Sequence, residues 1–172
     1  MDSTEFKKLL FEVACCAVAC DYDIDEREIR ELRNIDKSTT YFKDIDLSKQ
    51  LDNFLANFKG NEAEIINGLI EKIRDVSMSP VEELLVMEIV LRLIYADLRI
   101  DEKEIDFLKS IRLALSISDE IMTDRFGEID ILIKDRKIVK QVDEKVVNKH
   151  NYDSADLNSL ENVYYKNDDK KK

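Results

Sequence analysis

Val18-Ala-Cys-Asp-Tyr-Asp-Ile-Asp-Glu-Arg-Glu-Ile29 returns 76 positions later as Ile94-Tyr-Ala-Asp-Leu-Arg-Ile-Asp-Glu-Lys-Glu-Ile105. The identities are Asp21/Asp97, Ile24/Ile100, Asp25/Asp101, Glu26/Glu102, Glu28/Glu104 and Ile29/Ile105, and Leu32/Leu108 and Ile35/Ile111 carry the register onward. Eight identities in eighteen aligned positions fall on an acidic and an apolar pattern at once, so duplication explains them better than chance. In each copy an apolar helix ends near the first Asp, one isoleucine drops inward, and a second helix starts at the next Asp. Two acidic helix-loop-helix units are therefore expected, superposable and free of strand.

Ahead of the first copy, Phe6, Leu9, Leu10, Val13, Ala17 and Cys20 recur at spacings of three and four, which predicts a helix from about Ser3 to Cys20. Asp2 and Glu5 have capping-box spacing at its start, as do Asn61 and Glu64 before Ile65, Ile66, Leu69, Ile70 and Ile73. Lys59-Gly60 closes the helix that carries Phe54, Leu55 and Phe58. The clearest start is Ser79-Pro80-Val81-Glu82: the proline stands where no helical donor is missed, the serine caps and the glutamate answers it.

From Val81 to Ala96 the chain is apolar nearly all round, which predicts a central buried helix with Glu88 and Arg92 paired at i, i+4. It falls short of the roughly 20 residues a membrane span needs. Ile105, Leu108, Ile111 and Leu115 mark another helix, and Ser118 begins a short one that ends near Phe126-Gly127. The expected fold is all-α: a single helical domain of about seven helices over residues 1–127, holding both motifs, and a C-terminal extension over 128–172. Within the extension, Glu128 to Val147 alternates apolar and charged residues, Asp153 to Tyr165 has the pattern of a short amphipathic helix, and Lys166 to Lys172 reads as a disordered end.

Residues 1–133 hold 17 basic and 30 acidic side chains (−13) and residues 134–172 hold 10 and 8 (+2), together the −11 of the chain. An acidic body repels phosphate backbones, so direct nucleic-acid binding is not expected, and cations or basic protein surfaces are the favoured partners. The charged start from Met1 to Lys8 lacks a signal peptide's apolar stretch, which points to the cytosol. Cys15, Cys16 and Cys20 are an odd number, too close together for a disulfide framework, and are expected reduced; Cys16 and Cys20, at i, i+4, either bind a soft metal or react with an oxidant or, as favoured here, lie buried beside Val13 and Ala17.

The Asp-x-x-Ile-Asp-Glu-x-Glu pattern after an apolar helix, occurring twice, resembles the tellurite-resistance TerB-like family over roughly residues 5–126. That resemblance implies an all-helical fold, paired acidic clusters proposed to hold divalent cations, and a place in bacterial stress-response or phage-defence systems. It places the family's acidic positions on Asp21 and Glu28 and on Asp97 and Glu104. Where such motifs usually have a glycine after the first Asp, this chain has Tyr22 and Leu98, side chains that adopt a positive φ poorly.

The acids themselves admit two readings. Asp21, Asp23, Asp25 and Glu28, with Asp97, Asp101 and Glu104 in the second copy, are candidate ligands for Ca²⁺ or Mg²⁺, because clustered carboxylates repel unless a positive charge sits between them. Alternatively, Asp25 with Glu28 and Asp101 with Glu104 are capping boxes that satisfy helix-start amides. Asp21 and Asp97 fit capping less well, since the negative end of a helix disfavours an anion. The first loop sets Asp21, Asp23, Asp25, Glu26 and Glu28 against Arg27 (−4), and the second sets Asp97, Asp101, Glu102 and Glu104 against Arg99 and Lys103 (−2). A cation is therefore expected to prefer the first loop.

His150 is the single histidine, the three glycines are isolated, and the acids read as solvated, so neither a nucleophilic triad nor a phosphate loop is available. A non-enzymatic adaptor or sensor is expected, working with a protein partner. The competing reading is a structural interaction module whose acids only cap helices.

Overall fold

The computed structural model describes residues 3–22, 26–42, 46–96, 99–129 and 140–141. Seven helices run through them: α1 (Ser3–Ala19), α2 (Glu26–Ser38), α3 (Leu47–Phe58), α4 (Glu62–Asp75), α5 (Pro80–Ile94), α6 (Glu102–Ala114) and α7 (Asp119–Phe126). The class is all-α, as the spacing predicts. Among the described residues no helix is long and apolar enough to cross a membrane. The Asp2–Glu5 capping box, the helix read at Asp153 to Tyr165, the charged end and His150 lie outside the described residues.

The core forms where α1 packs along α5, the most extensive contact between elements. Helix α5 is buried without a break from Glu82 to Ile94. On α1 the run from Val13 to Ala19 is buried as well, and its small alanine and cysteine side chains let a second helix lie close. Each large side chain shut away here, such as Leu85, Ile89 or Leu91, contributes on the order of 1.5–3 kcal/mol. Helices α2 and α6 each lay an apolar stripe, Leu32 and Ile35 or Leu108 and Ile111, onto this pair.

Helices α2 and α6 both have 13 residues and begin and end at equivalent positions of the repeat, Glu26/Glu102 and Ser38/Ala114. The second loop holds a strand, so the expectation of two strand-free, superposable units is not met there. Its Arg99–Ile100 form a two-residue strand, β1, antiparallel to Lys140–Gln141, β2, with Arg99 opposite Gln141 and Ile100 opposite Lys140. The buried Ile100 is a β-branched residue in extended backbone, and that leaves main-chain groups for a passing segment to pair. Residues 23–25 of the first loop lie outside the described residues.

Caps explain most helix starts. Ser79 accepts from the Glu82 amide at 3.3 Å while Glu82 accepts from the Ser79 amide at 2.6 Å, the reciprocal box read from the sequence. Ser118 caps α7 and Gly127 closes it at φ 72. The box read at Asn61 and Glu64 does not form. The Asn61 amide group turns back to the Asn57 carbonyl at 3.0 Å, satisfying an orphan acceptor at the end of α3, and Glu62 takes the Gly60 amide instead.

The pairing read within α5 is also replaced. Arg92 bonds Glu31 on α2, through Nε at 2.7 Å, and Glu88 accepts from Arg125 on α7 at 2.6 Å. Both α5 residues are buried, so each needs a counter-charge at the facing surface, and the neighbouring helices supply it. Glu83, also buried, accepts from the Ile117 amide at 2.6 Å and fixes the connection between α6 and α7.

Arg125→Ala, which withdraws the counter-charge from the fully buried Glu88, is expected to destabilise by about 3 kcal/mol. Lys72→Ala, which removes an exposed pair with Glu12, should cost less than about 1 kcal/mol. Urea unfolding of the two variants checks the contrast, and equal losses would refute it.

Candidate functional site

The two motifs meet at the end of α1. After Ala19 the chain turns, with the Tyr22 amide donating to the Ala19 carbonyl at 3.1 Å, and Tyr22 takes φ 71, the one positive φ among the described residues other than glycine. For a residue with a Cβ that conformation costs on the order of 1–2 kcal/mol. What offsets it comes from the other motif. The Lys103 ammonium, on the first turn of α6, donates to the main-chain carbonyl of Asp21 at 2.9 Å and sits 3.6 Å from the centre of the Tyr22 ring. A cation over an exposed ring contributes about 0.5–1 kcal/mol, and a hydrogen bond from a charged donor about 1.5–3, enough to hold the strained turn. Tyr22 also touches Phe58 of α3 at 6.3 Å between ring centres, and Phe58 touches Phe54 at 5.4 Å.

Of the seven candidate ligands, Asp23, Asp25 and Asp97 lie outside the described residues. Asp101 and Glu104 form the capping box expected of them: Asp101 accepts from the amides of Lys103 at 2.7 Å and Glu104 at 3.0 Å, and Glu104 accepts from the Asp101 amide at 2.7 Å. Glu28 and Glu104 are not solvated as their composition suggests; they are 3% and 4% exposed, at equivalent places in the two repeats. Both point inward because the apolar stripe of each second helix puts that position on the core side, between Ile29 and Leu32 or between Ile105 and Leu108. Among the described residues no three His, Cys, Asp or Glu side chains come together as a metal-binding group.

Acids of both motifs nonetheless act electrostatically on one thiol. Cys20 is buried, donates to the Ala17 carbonyl at 3.3 Å, and is pushed far up from the ordinary thiol range by burial first, then by Glu104, Asp21, Glu28 and Asp101. Cys16 rises to about 12 through burial and the nearby Glu12, and Cys15 rises further, through burial, Cys16 and Glu12. All three thiols are free and buried, in line with their place on the apolar face. Such protonated, shielded sulfurs are poor nucleophiles and poor soft-metal ligands.

Sequence reasoning found the acids and missed Lys103 and Tyr22 as partners. The only signal was that Lys103 is a basic residue inside an acidic motif. Its contact lies 82 residues away along the chain and follows from no local spacing. No protein-family model, curated protein or solved structure matches this chain.

Native-state labelling with a maleimide at pH 8 should leave Cys15, Cys16 and Cys20 unmodified over the time in which the urea-unfolded chain is fully labelled, and fast labelling of the folded protein would contradict this. The linkage has a sign. Because the folded thiol of Cys16 ionises near 12 rather than at the usual 9.0, its contribution to stability is full below pH 9.0 and falls as pH climbs from there toward 12. Replacing Cys16 with Ala should therefore flatten the alkaline decline in the urea midpoint.

Proposed function

We propose that this chain is a non-enzymatic adaptor or sensor, TerB-like in kind and belonging to a bacterial stress-response or phage-defence system, which takes a divalent cation at its first acidic loop and works through a protein partner. The observation that carries the reading is the ammonium of Lys103, seated on the Asp21 carbonyl and over Tyr22. A positive charge is already drawn to the place where the first loop begins. The surroundings favour it: the negative end of α1 points there, and Asp21, Glu28, Asp101 and Glu104 all lie close enough to act on the adjoining Cys20. The TerB-like part of the proposal rests on the repeated Asp-x-x-Ile-Asp-Glu-x-Glu residues alone.

Ca²⁺ and Mg²⁺ suit such a place because both take oxygen donors, which carboxylates and a main-chain carbonyl provide. Asp21 would be a ligand together with at least one of Asp23, Asp25 and Glu28. The second loop is the poorer candidate, since its Asp101 and Glu104 are committed to the cap of α6.

One observation favours a different reading. The capping box at Asp101 and Glu104 is complete without a metal, which supports a purely structural interaction module whose acids start helices and keep the surface charged. Calorimetric titration of Ca²⁺ and of Mg²⁺ into the wild type and Asp21→Asn separates the two. Saturable heat in the wild type that weakens by about tenfold or more in the variant supports the cation reading. No heat, or the same heat in both proteins, leaves the structural module.

A further inference from the structure

Helix α2 carries a stripe that runs against the charge of the rest of the molecule. Arg27, Arg30, Arg33 and Lys37 are all exposed, and their spacing of three and four places them on one face along about 15 Å of helix. Of the acids of α2, Glu26 in the first turn shares this face; Glu28 is buried, Glu31 and Asp36 are half-buried, and Glu31 is engaged by Arg92. Arg30, Arg33 and Lys37 make no ion pair among the described residues. Like charges three and four positions apart repel along a helix, so the stripe weakens α2. Arg27 also stands at the positive end of the helix dipole, and only Lys37, in the last turn, gains from it. Nor does the repeated scaffold require the stripe: at the positions 76 residues on, α6 carries Lys103, Asp106, Lys109 and Leu113. Folding therefore does not account for it.

We infer that the exposed face of α2 is a docking surface for an acidic helical segment of a partner protein, whose carboxylates, also three and four positions apart, lie opposite Arg27, Arg30, Arg33 and Lys37. The net charge of −11 by itself favours basic partners. At physiological salt, however, exposed charges are screened beyond about 8 Å, so a segment in contact with α2 meets the stripe before it meets the rest of the molecule. Three arginine guanidinium groups suit carboxylates, which they can bind through two parallel hydrogen bonds. The length of the stripe selects among polyanions. A nucleic-acid duplex or an anionic membrane extends well past three turns of helix and would face the acids of the surrounding body, whereas a peptide helix of three turns would not. The inference rests on the protein-partner half of the reading above, gives that partner its chemistry, and needs no cation.

The test follows the fluorescence anisotropy of a labelled alanine-based peptide helix bearing glutamates along one face, at low ionic strength and with chelator present. It is titrated with full-length wild type, Arg30→Glu, Arg33→Glu and Arg74→Glu, and circular dichroism confirms that each is folded. Wild type should bind saturably and more weakly as salt is added. Arg30→Glu and Arg33→Glu should each lose about tenfold or more in affinity, and Arg74→Glu, the same charge change at an exposed position of α4, less than about twofold. A peptide of the same composition with its glutamates scattered round the helix should bind more weakly than the one-sided peptide. No binding by wild type, an equal loss in Arg74→Glu, or equal binding of the scattered peptide overturns the inference. So does a DNA duplex or a phosphatidylserine vesicle bound as tightly as the one-sided peptide. Because chelator removes divalent ions, failure here leaves the cation reading to its own titration.

Discussion

Helix α5 can be buried on every side only if its charged residues find partners around it: opposite charges for Glu88 and Arg92, main-chain amides for Glu82 and Glu83. Glu88 and Arg92 sit one turn apart in the core, and a charge left unpaired there would cost several kcal/mol, comparable with much of the net stability of a domain. Arg125 on α7 answers Glu88 and Glu31 on α2 answers Arg92, so the two pairs also fix where α7 and α2 lie. Apolar packing is weakly directional and would tolerate several arrangements of those helices. The ion pairs select one of them, and Glu83, by taking the Ile117 amide, sets how the chain turns from α6 into α7.

The motif loops depend on that arrangement. Because α1 and α5 lie against each other, the two helix-loop-helix units face one another, and the start of α6 comes up to the end of α1. There two carboxylates of each motif and the helix end act together, and the Lys103 ammonium lies on the Asp21 carbonyl. Lys103 does for the turn at Tyr22 what a glycine would do more simply: it makes a positive φ tolerable, here by adding attraction instead of removing a Cβ. The strain and the contact are linked, and the turn at the first loop is consequently sensitive to any charge that arrives.

The two units are alike in their second helices. The second helix of each is 13 residues long and carries a buried glutamate at the same position. The second loop is extended at Arg99–Ile100 and pairs with β2, and its Asp101 and Glu104 form the cap of α6. One copy can thus act as scaffold while the other keeps the higher net negative charge. Glu28 and Glu104 are the residues in which composition misleads most: an acidic side chain in an acidic motif reads as solvated, yet the stripe position of each places it inside.

By itself the sequence determined the helical class, the repeat, the buried central helix, the buried cysteines and the start of α5 at Ser79-Pro80. Apart from the repeat, which rests on identities 76 positions apart, these follow from contacts three or four residues apart, where the backbone alone brings side chains together. Tertiary structure decided what local spacing cannot reach: Arg92 on Glu31 in place of Glu88, Asn61 turned back to Asn57, the strand at Ile100, and Lys103 over Tyr22. In each case a polar group had more than one acceptor that a sequence would allow. The choice fell to the one that packing brought within hydrogen-bonding distance, and for the buried Arg92 that partner also had to satisfy its charge.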